Sequence, residues 1–367
     1  MASGTSSLTQ EELDYLTQTV LSKRIARDGV NALDRINCPT VDFLMGKSKE
    51  LGDPTNDGFR FYVAGRRGQR IQWWDGADLL VFENRHTISD MQFDVGRAHL
   101  GFELLYQFLE RAGIRVDYKK GIREKGAAPG AVLERTVNVI EHHLDQVMYD
   151  YKIDFARRVM RANSDQAKCF TGVDGIISAS TNTTGTVGLR PRSNPLFRHQ
   201  LVTGITKSNF MLRFFDLVKA TNRKAQKGQV NFFSCGDAMF SILTDLFSGT
   251  DTVAGKFDYR STRDKAAAMG EKYNVALPQD AFMYQGVLIT NDPIYEELDL
   301  EEPTASPTWG KRIFGFNTNH FGVVPVMDME KVSHGMPYNQ RLERWSLHGE
   351  YTVWTNQPGA QMVGVAA

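Results

Sequence analysis

A glycine-rich turn that ends in lysine can cradle phosphates, so the stretch from Gly249 to Lys256 is where nucleotide chemistry would sit. A phosphate loop needs glycine, four residues, then glycine, lysine and a hydroxyl residue. Here five residues separate Gly249 from Gly255, and Phe257 follows Lys256, so a plain surface turn is expected. His142 and His143 could offer imidazole to a metal, but they are adjacent in a predicted helix. Neighbouring helical side chains point about 100° apart, so the pair cannot chelate from one face. Glu296, Glu297, Asp299, Glu301 and Glu302 could gather a cation. The run of like charges reads instead as a solvated acidic loop. The three cysteines, Cys38, Cys169 and Cys235, lie far apart, with neither a disulfide framework nor zinc spacing, which fits a reducing compartment. The serine-hydrolase elbow, the zincin helix motif and the dinucleotide-binding glycines are all missing from the sequence. With no nucleophile beside a base, the expectation is a protein that is not an enzyme and has no catalytic residue, no cofactor and no metal.

Charge points the same way. Forty-three basic residues balance 43 acidic ones, for a formal net charge of zero. Free DNA-binding proteins usually carry a basic surplus, whereas neutrality favours self-association. Lys119, Lys120, Arg123 and Lys125 form one basic cluster, and Lys219, Arg223, Lys224 and Lys227 another along a helix face. A solvated face and contact with packed DNA both fit them. Met1 to Gln10 is small and polar, so no signal peptide is expected. No run of about 18 apolar residues occurs, so no membrane span is expected, and the chain reads as made in the cytosol.

The elements that must carry these residues fall into four textures. From the start to about Asp57, Thr9 and Glu12 have capping-box spacing, and Leu13, Leu16, Val20, Leu21 and Ile25 recur at helical spacing. Asn37-Cys38-Pro39 and Gly52-Asp53-Pro54 then break the chain, so an arm and connector are expected. From Gly58 to Phe93 the chain reads as extended, with Phe59, Phe61 and Val63 alternating with Arg60 and Tyr62. Asp75-Gly76 between apolar runs signals a hairpin. This loop has little core of its own, so Arg66, Arg67, Arg70, Trp73, Trp74 and Arg85 are candidate assembly-interface residues. Tryptophan and arginine are the types that dominate interface energetics.

A third texture starts at Pro129, where Leu133, Val137, Ile140, Leu144, Val147, Tyr151, Phe155, Val159 and Ala162 recur at spacings of three and four. A helix from Pro129 to Asn163 would be roughly 50 Å long and would need one long partner surface. Beyond Ser164, helices are predicted over Thr206–Gln226 and Asp237–Leu246. Strands are predicted at Val230–Phe233, Gly286–Thr290, Arg312–Phe316, Val323–Met327, Arg344–His348 and Tyr351–Trp354. The fold class is α+β, with helices and strands segregated.

The order of arm, β-loop, long spine helix and α+β region resembles the tailed-phage major capsid family, the Hong Kong 97-type fold. Cys169-Phe170-Thr171-Gly172-Val173-Asp174-Gly175-Ile176 is similar to that family's glycine-rich exit from the spine helix. Val230 to Leu246 resembles its strand-then-helix unit, and Gln285 to Thr290 its return strand. Arg344 to Gly364 resembles its closing strands.

The resemblance implies an N-terminal arm and connector over 1–63 and an extended loop over 64–93 that lies on a neighbouring subunit. It implies a peripheral domain from 94–162 and 312–356, and an axial domain from 163–311 and 357–367. It further implies self-assembly as hexamers and pentamers into an icosahedral shell around double-stranded DNA, built in the host bacterial cytoplasm and retained in the virion capsid. A separate scaffolding protein is expected, because only about 57 residues precede the loop. A portal protein is a further partner, DNA contact is non-specific, and a decoration protein is left open. A bacterial nanocompartment shell of the same fold is the alternative. Some family members link a loop lysine covalently to a neighbour, but no lysine occurs between Lys49 and Lys119. Non-covalent contacts are therefore expected to hold the shell.

Overall fold

The computed structural model describes residues 38–47, 58–64, 88–105, 115–117, 121–123, 147–162, 169–248, 281–284, 287–335 and 342–367. In chain order it begins with helix α1 (Pro39–Lys47), strands β1 (Phe59–Ala64), β2 (Ile88–Phe93) and β3 (Gly96–Leu105), and the short pair β4 (Arg115–Asp117) and β5 (Gly121–Arg123). Helix α2 covers residues 147–160, and α3 (Val173–Ile176), β6 (Thr186–Val187), β7 (Arg190–Pro191) and β8 (Gln200–Ile205) follow. Next come α4 (Phe210–Lys224), β9 (Phe232–Cys235), α5 (Asp237–Ser248), β10 (Phe282–Tyr284), β11 (Val287–Asn291) and α6 (Ile294–Glu301). The chain closes with β12 (Arg312–Phe316), β13 (Phe321–Gly335), β14 (Leu342–Thr355) and β15 (Met362–Ala366). No helix among the described residues is long and apolar enough to cross a membrane.

The chain divides into two compact units. The smaller takes in described residues of Met1–Cys38, Gly96–Arg158 and Pro325–Tyr351, and the larger those of Pro39–Val95, Val159–Val324 and Thr352–Ala367. The smaller is organised by an antiparallel sheet in the order β13-β14-β3. Within it Tyr151 and Phe155 of α2 bury against Tyr351, with the Phe155 and Tyr351 rings 4.4 Å apart. The buried face of α2 carries Met148, Tyr151, Phe155, Ala156, Val159 and Met160, together with the charged Lys152. The predicted spine before residue 147 lies outside the described residues, as does the predicted helix after Thr9.

The larger unit is built on a six-stranded mixed sheet in the order β10-β11-β9-β12-β15-β8. Every residue of β9, β12 and β15 is buried, the pattern of central strands covered on both faces. Alternation sorts their side chains. Phe233, Cys235, Ile313 and Met362 pack against Phe210, Phe214 and Leu217 of α4 and Met239 and Leu243 of α5. Phe232, Phe314 and Phe316 turn the other way, where Phe43 of α1 stacks on Phe232 at 4.3 Å and Tyr295 of α6 on Phe314 at 6.2 Å. Burying each such ring contributes roughly 1.5–3 kcal/mol. Gly315 sits where a Cβ would come within 2.4 Å of the Phe233 ring and 2.6 Å of Met362, so only glycine lets β9, β12 and β15 lie so close.

Two local expectations change here. Pro39 does not break the chain. It opens α1, where its fixed φ suits the first helical turn and Asp42 complements the helix N-terminus. Glu296, Glu297, Asp299 and Glu301 are not a solvated loop but belong to α6, which buries Ile294, Tyr295 and Leu298.

Beneath α1 lies a buried polar string. Asp292 accepts the backbone N–H groups of Thr40 and Ile294, each at 3.1 Å, and Ser234 bonds both Thr40 and Tyr295. Burial lifts the Asp292 carboxyl from 3.8 to about 6, against the pull of its hydrogen bonds from Thr40 and Ile294. The folded chain thus keeps a proton that the unfolded chain releases. This contribution to stability is full below about 3.8, declines as pH rises, and is lost above about 6. Between pH 4 and pH 7.5, wild type is expected to lose about 2 kcal/mol relative to Asp292→Asn, measured by urea unfolding. A constant difference across that range would show that the carboxyl titrates normally.

Candidate assembly surfaces

The base of the predicted extended loop is fixed by a ladder. β1 and β2 pair antiparallel from Phe59↔Phe93 to Ala64↔Ile88. Ala64 and Ile88 are therefore direct neighbours at the end of the ladder. The alternation read from the sequence holds at this base: Phe59, Met91 and Phe93 are buried, while Tyr62 is 77% exposed. Phe61 stacks on Trp354 at 5.1 Å, and Thr352 Oγ1 donates to the Asp94 carbonyl at 2.9 Å. Gly58, at φ +103°, takes a conformation open to glycine and lies against the Phe93 carbonyl. The six candidate interface residues, Arg66, Arg67, Arg70, Trp73, Trp74 and Arg85, lie outside the described residues.

A second hairpin is stapled to this ladder. The Gly188 carbonyl accepts the Gln92 N–H at 3.1 Å. Arg190 Nε donates to the Asp90 carbonyl at 2.6 Å, and its guanidinium pairs with the Asp90 carboxylate. Between them Leu189 holds φ +66° and is 69% exposed, beside the strand pair that carries Tyr62. A leucine in the left-handed region costs about 1–2 kcal/mol, and this one gains little burial in return within its own subunit. Sequence reading passed over it, although Val187-Gly188-Leu189-Arg190 carries a turn glycine. Leu189→Asn, which tolerates that backbone, is expected to raise subunit stability by about 1 kcal/mol while weakening self-association. Denaturant midpoints and sedimentation check the two halves. A less stable subunit would mean that Leu189 packs at home.

Behind the hairpin is a charged core. Arg192, 3% exposed, donates to the carbonyls of Gly175 (2.6 Å), Ile176 (3.1 Å) and Thr181 (3.1 Å). Asp174 accepts the Ala179 N–H at 3.0 Å and faces Arg312 at 3.2 Å. Burial pushes the Asp174 carboxyl upward despite Arg312 and Arg192 beside it. Arg312 donates twice to the Pro307 carbonyl and covers the Trp309 ring at 3.8 Å. Three carboxylates at the end of α6 have partners here. Asp299 accepts the N–H groups of Trp309 and Gly310, Glu302 accepts Trp309 Nε1, and Arg161 pairs with Glu301 and Glu302. These contacts tie the end of α6 to the Trp309 segment and to Arg161.

The remaining sequence candidates separate cleanly. None of the three cysteines forms a disulfide, and burial pushes the Cys235 thiol well up. His199 is buried, and desolvation lowers it to about 3, so it stays neutral and its Nε2 bonds the Ser178 carbonyl. His142, His143 and the Gly249–Lys256 turn lie outside the described residues, as do Lys119, Lys120 and Lys125. Lys219, Arg223, Lys224 and Lys227 are all exposed, but α4 ends at Lys224, so Lys227 lies past the helix and the four do not form one helix face.

No family model matches the sequence, and no curated protein matches it. Solved structures do. The chain is similar to a capsid subunit of cyanophage A-1(L), with TM-score 0.56 and 10% identity over 90% of this chain and 94% of that one. It is also similar to the capsid of a native GTA particle, with TM-score 0.51 and 10% identity over 86% of each chain. A chain of Mycobacterium phage Ogopogo aligns with TM-score 0.50 and 9% identity over 93% of each. At such identity the likeness establishes a shared fold.

Proposed function

We propose that this chain, which has the mixed helix-and-sheet fold of phage capsid subunits, is the major capsid protein of a tailed phage. The single observation that carries the reading is the match over 90% of this chain and 94% of a cyanophage capsid subunit, at whole-fold rather than motif level. On this reading the role is structural, without catalysis or cofactor. Copies form hexamers and pentamers that close an icosahedral shell around double-stranded DNA, with a separate scaffolding protein and a portal as partners.

The ladder of β1 and β2 supports residues 64–93 as the extended loop, since it sets Ala64 opposite Ile88, the described residues on either side of the stretch between them. In that role Trp73 and Trp74 bury in a neighbouring subunit, and Arg66, Arg67, Arg70 and Arg85 pair with its carboxylates. The arm over 1–63, the peripheral domain over 94–162 and 312–356, and the axial domain over 163–311 and 357–367 belong to the same proposal. Nuclease treatment of particles from producing cells tests the contents. Protected double-stranded DNA is expected. A shell filled with protein and free of DNA would favour a nanocompartment instead.

A further inference from the structure

One face of the β13-β14-β3 sheet carries a row of charged and imidazole side chains. In the antiparallel register of β3 and β14, Arg97 faces Glu350, His99 faces His348, Gly101 faces Ser346 and Glu103 faces Arg344. With a side-chain period of two, all eight lie on one face. The ends of the row are closed by ion pairs, Arg97 Nε to Glu350 Oε1 and Arg344 Nε to Glu103 Oε1, each at 2.8 Å. Their charges are thereby balanced, and the middle of the row holds imidazole. The His99 and His348 rings lie 4.8 Å apart. Gly101 lies opposite Ser346, and a Cβ there would come 3.4 Å from Cε1 of His99. The His99 ring thus leans over the glycine.

A third imidazole arrives from β13. His334 Nε2 lies 2.6 Å from Ser346 Oγ, and the same Oγ lies 2.7 Å from His348 Nε2. One ring nitrogen from each of His99, His334 and His348 lies within 4.8 Å of the other two. Hydrogen bonding explains only part of this. A serine hydroxyl has one proton, so it donates to one ring and accepts from the other. That needs two histidines and leaves the third without a role in the network.

We infer that His99, His334 and His348 form a binding site for a divalent first-row transition ion of the zinc class. Three imidazoles with no thiolate and no carboxylate suit Zn²⁺, Co²⁺, Ni²⁺ or Cu²⁺, and offer nothing to Ca²⁺ or Mg²⁺, which take oxygen ligands. Zinc–nitrogen bonds of about 2.0–2.1 Å in a tetrahedron set the ligand nitrogens roughly 3.3 Å apart. The present spread of up to 4.8 Å closes with shifts of about 1 Å per ring. His99 and His334 are exposed and His348 half-buried, so ions reach the site from solvent and water fills the fourth position. Because the ligands come from three adjacent strands, the ion acts as a cross-strand staple that stabilises the folded sheet by mass action.

The test uses the untagged full-length chain, stripped with chelator and titrated with Zn²⁺ by calorimetry and with Co²⁺ by visible absorption. His86, His142 and His143 are replaced together by asparagine to remove background sites. One ion per chain is expected, with the d–d absorption of four-coordinate Co²⁺ and a rise in melting temperature on adding Zn²⁺. His99→Asn, His334→Asn and His348→Asn should each weaken binding by roughly tenfold or more. Ser346→Ala should keep the ion, since it frees both ring nitrogens without removing a ligand. Circular dichroism confirms that each variant remains folded. If any does not, Co²⁺ absorption of Ser346→Ala decides the matter alone. Absence of binding at millimolar Zn²⁺, or binding indifferent to the three histidine variants, overturns the site.

Discussion

Arg192→Ala is expected to be among the most damaging single substitutions in the described chain, destabilising the larger unit by about 3–5 kcal/mol. Its guanidinium is almost fully buried and supplies donors to the carbonyls of Gly175 and Ile176, at the end of α3, and of Thr181 in the turn that follows. Truncation leaves those acceptors dry and unpaired, at about 1–3 kcal/mol for each fully buried group. It also takes one of two cations from beside Asp174, which burial already disfavours as an anion. Arg192→Lys should not rescue it, because a lysine ammonium lacks the planar fork that reaches three carbonyls. Urea unfolding of the isolated subunit measures this. A loss below about 1 kcal/mol would mean that water replaces the guanidinium at no cost.

The second large effect concerns assembly. The paired substitution Trp73→Ala and Trp74→Ala should leave subunit stability within about 0.5 kcal/mol of wild type, because the loop's base is anchored by Phe59, Phe61, Met91 and Phe93. At an interface the same truncation costs about 2 kcal/mol or more per hot-spot residue. Each 2 kcal/mol corresponds to a roughly thirtyfold change in equilibrium constant, so the critical concentration for assembly should rise at least that far. Light scattering against protein concentration reads it directly. A double variant that assembles normally but melts early would place both rings inside their own subunit.

How much of this was legible in the sequence depended on whether the signal was local. Arg312–Phe316 was read as a strand at its observed bounds, because an apolar run between breakers has little other use. The α4 helix followed from Phe210, Phe214 and Leu217 at spacings of four and three. The strand placed at Val230–Phe233 lies at Phe232–Cys235. Ser234 and Cys235 look indifferent in sequence, and their burial comes from neighbours far along the chain. Two strands predicted on either side of Gly349-Glu350 are one, β14, because pairing with β3 carries the ladder through the glycine. Strands β3 and β8 escaped notice altogether, since their histidine, glycine and glutamine content hides the alternation. The α6 carboxylates were read as solvated because their partners, Arg161 and the backbone of Trp309, arrive only on folding. The histidine trio was invisible for the same reason: its members meet only once β3 and β13 flank β14. The six loop residues rest on residue type and on their place in a hairpin with little core of its own, and they stand as a proposal.

Electron microscopy of the purified full-length chain, followed from dilute to concentrated solution, tests the central claim most directly. The account predicts rings of five and six subunits that close into icosahedral shells, with the segment after Ala64 lying across a neighbouring subunit in the reconstructed map. A chain that stays a single subunit throughout that range, alone and when produced together with a scaffolding protein, would contradict it.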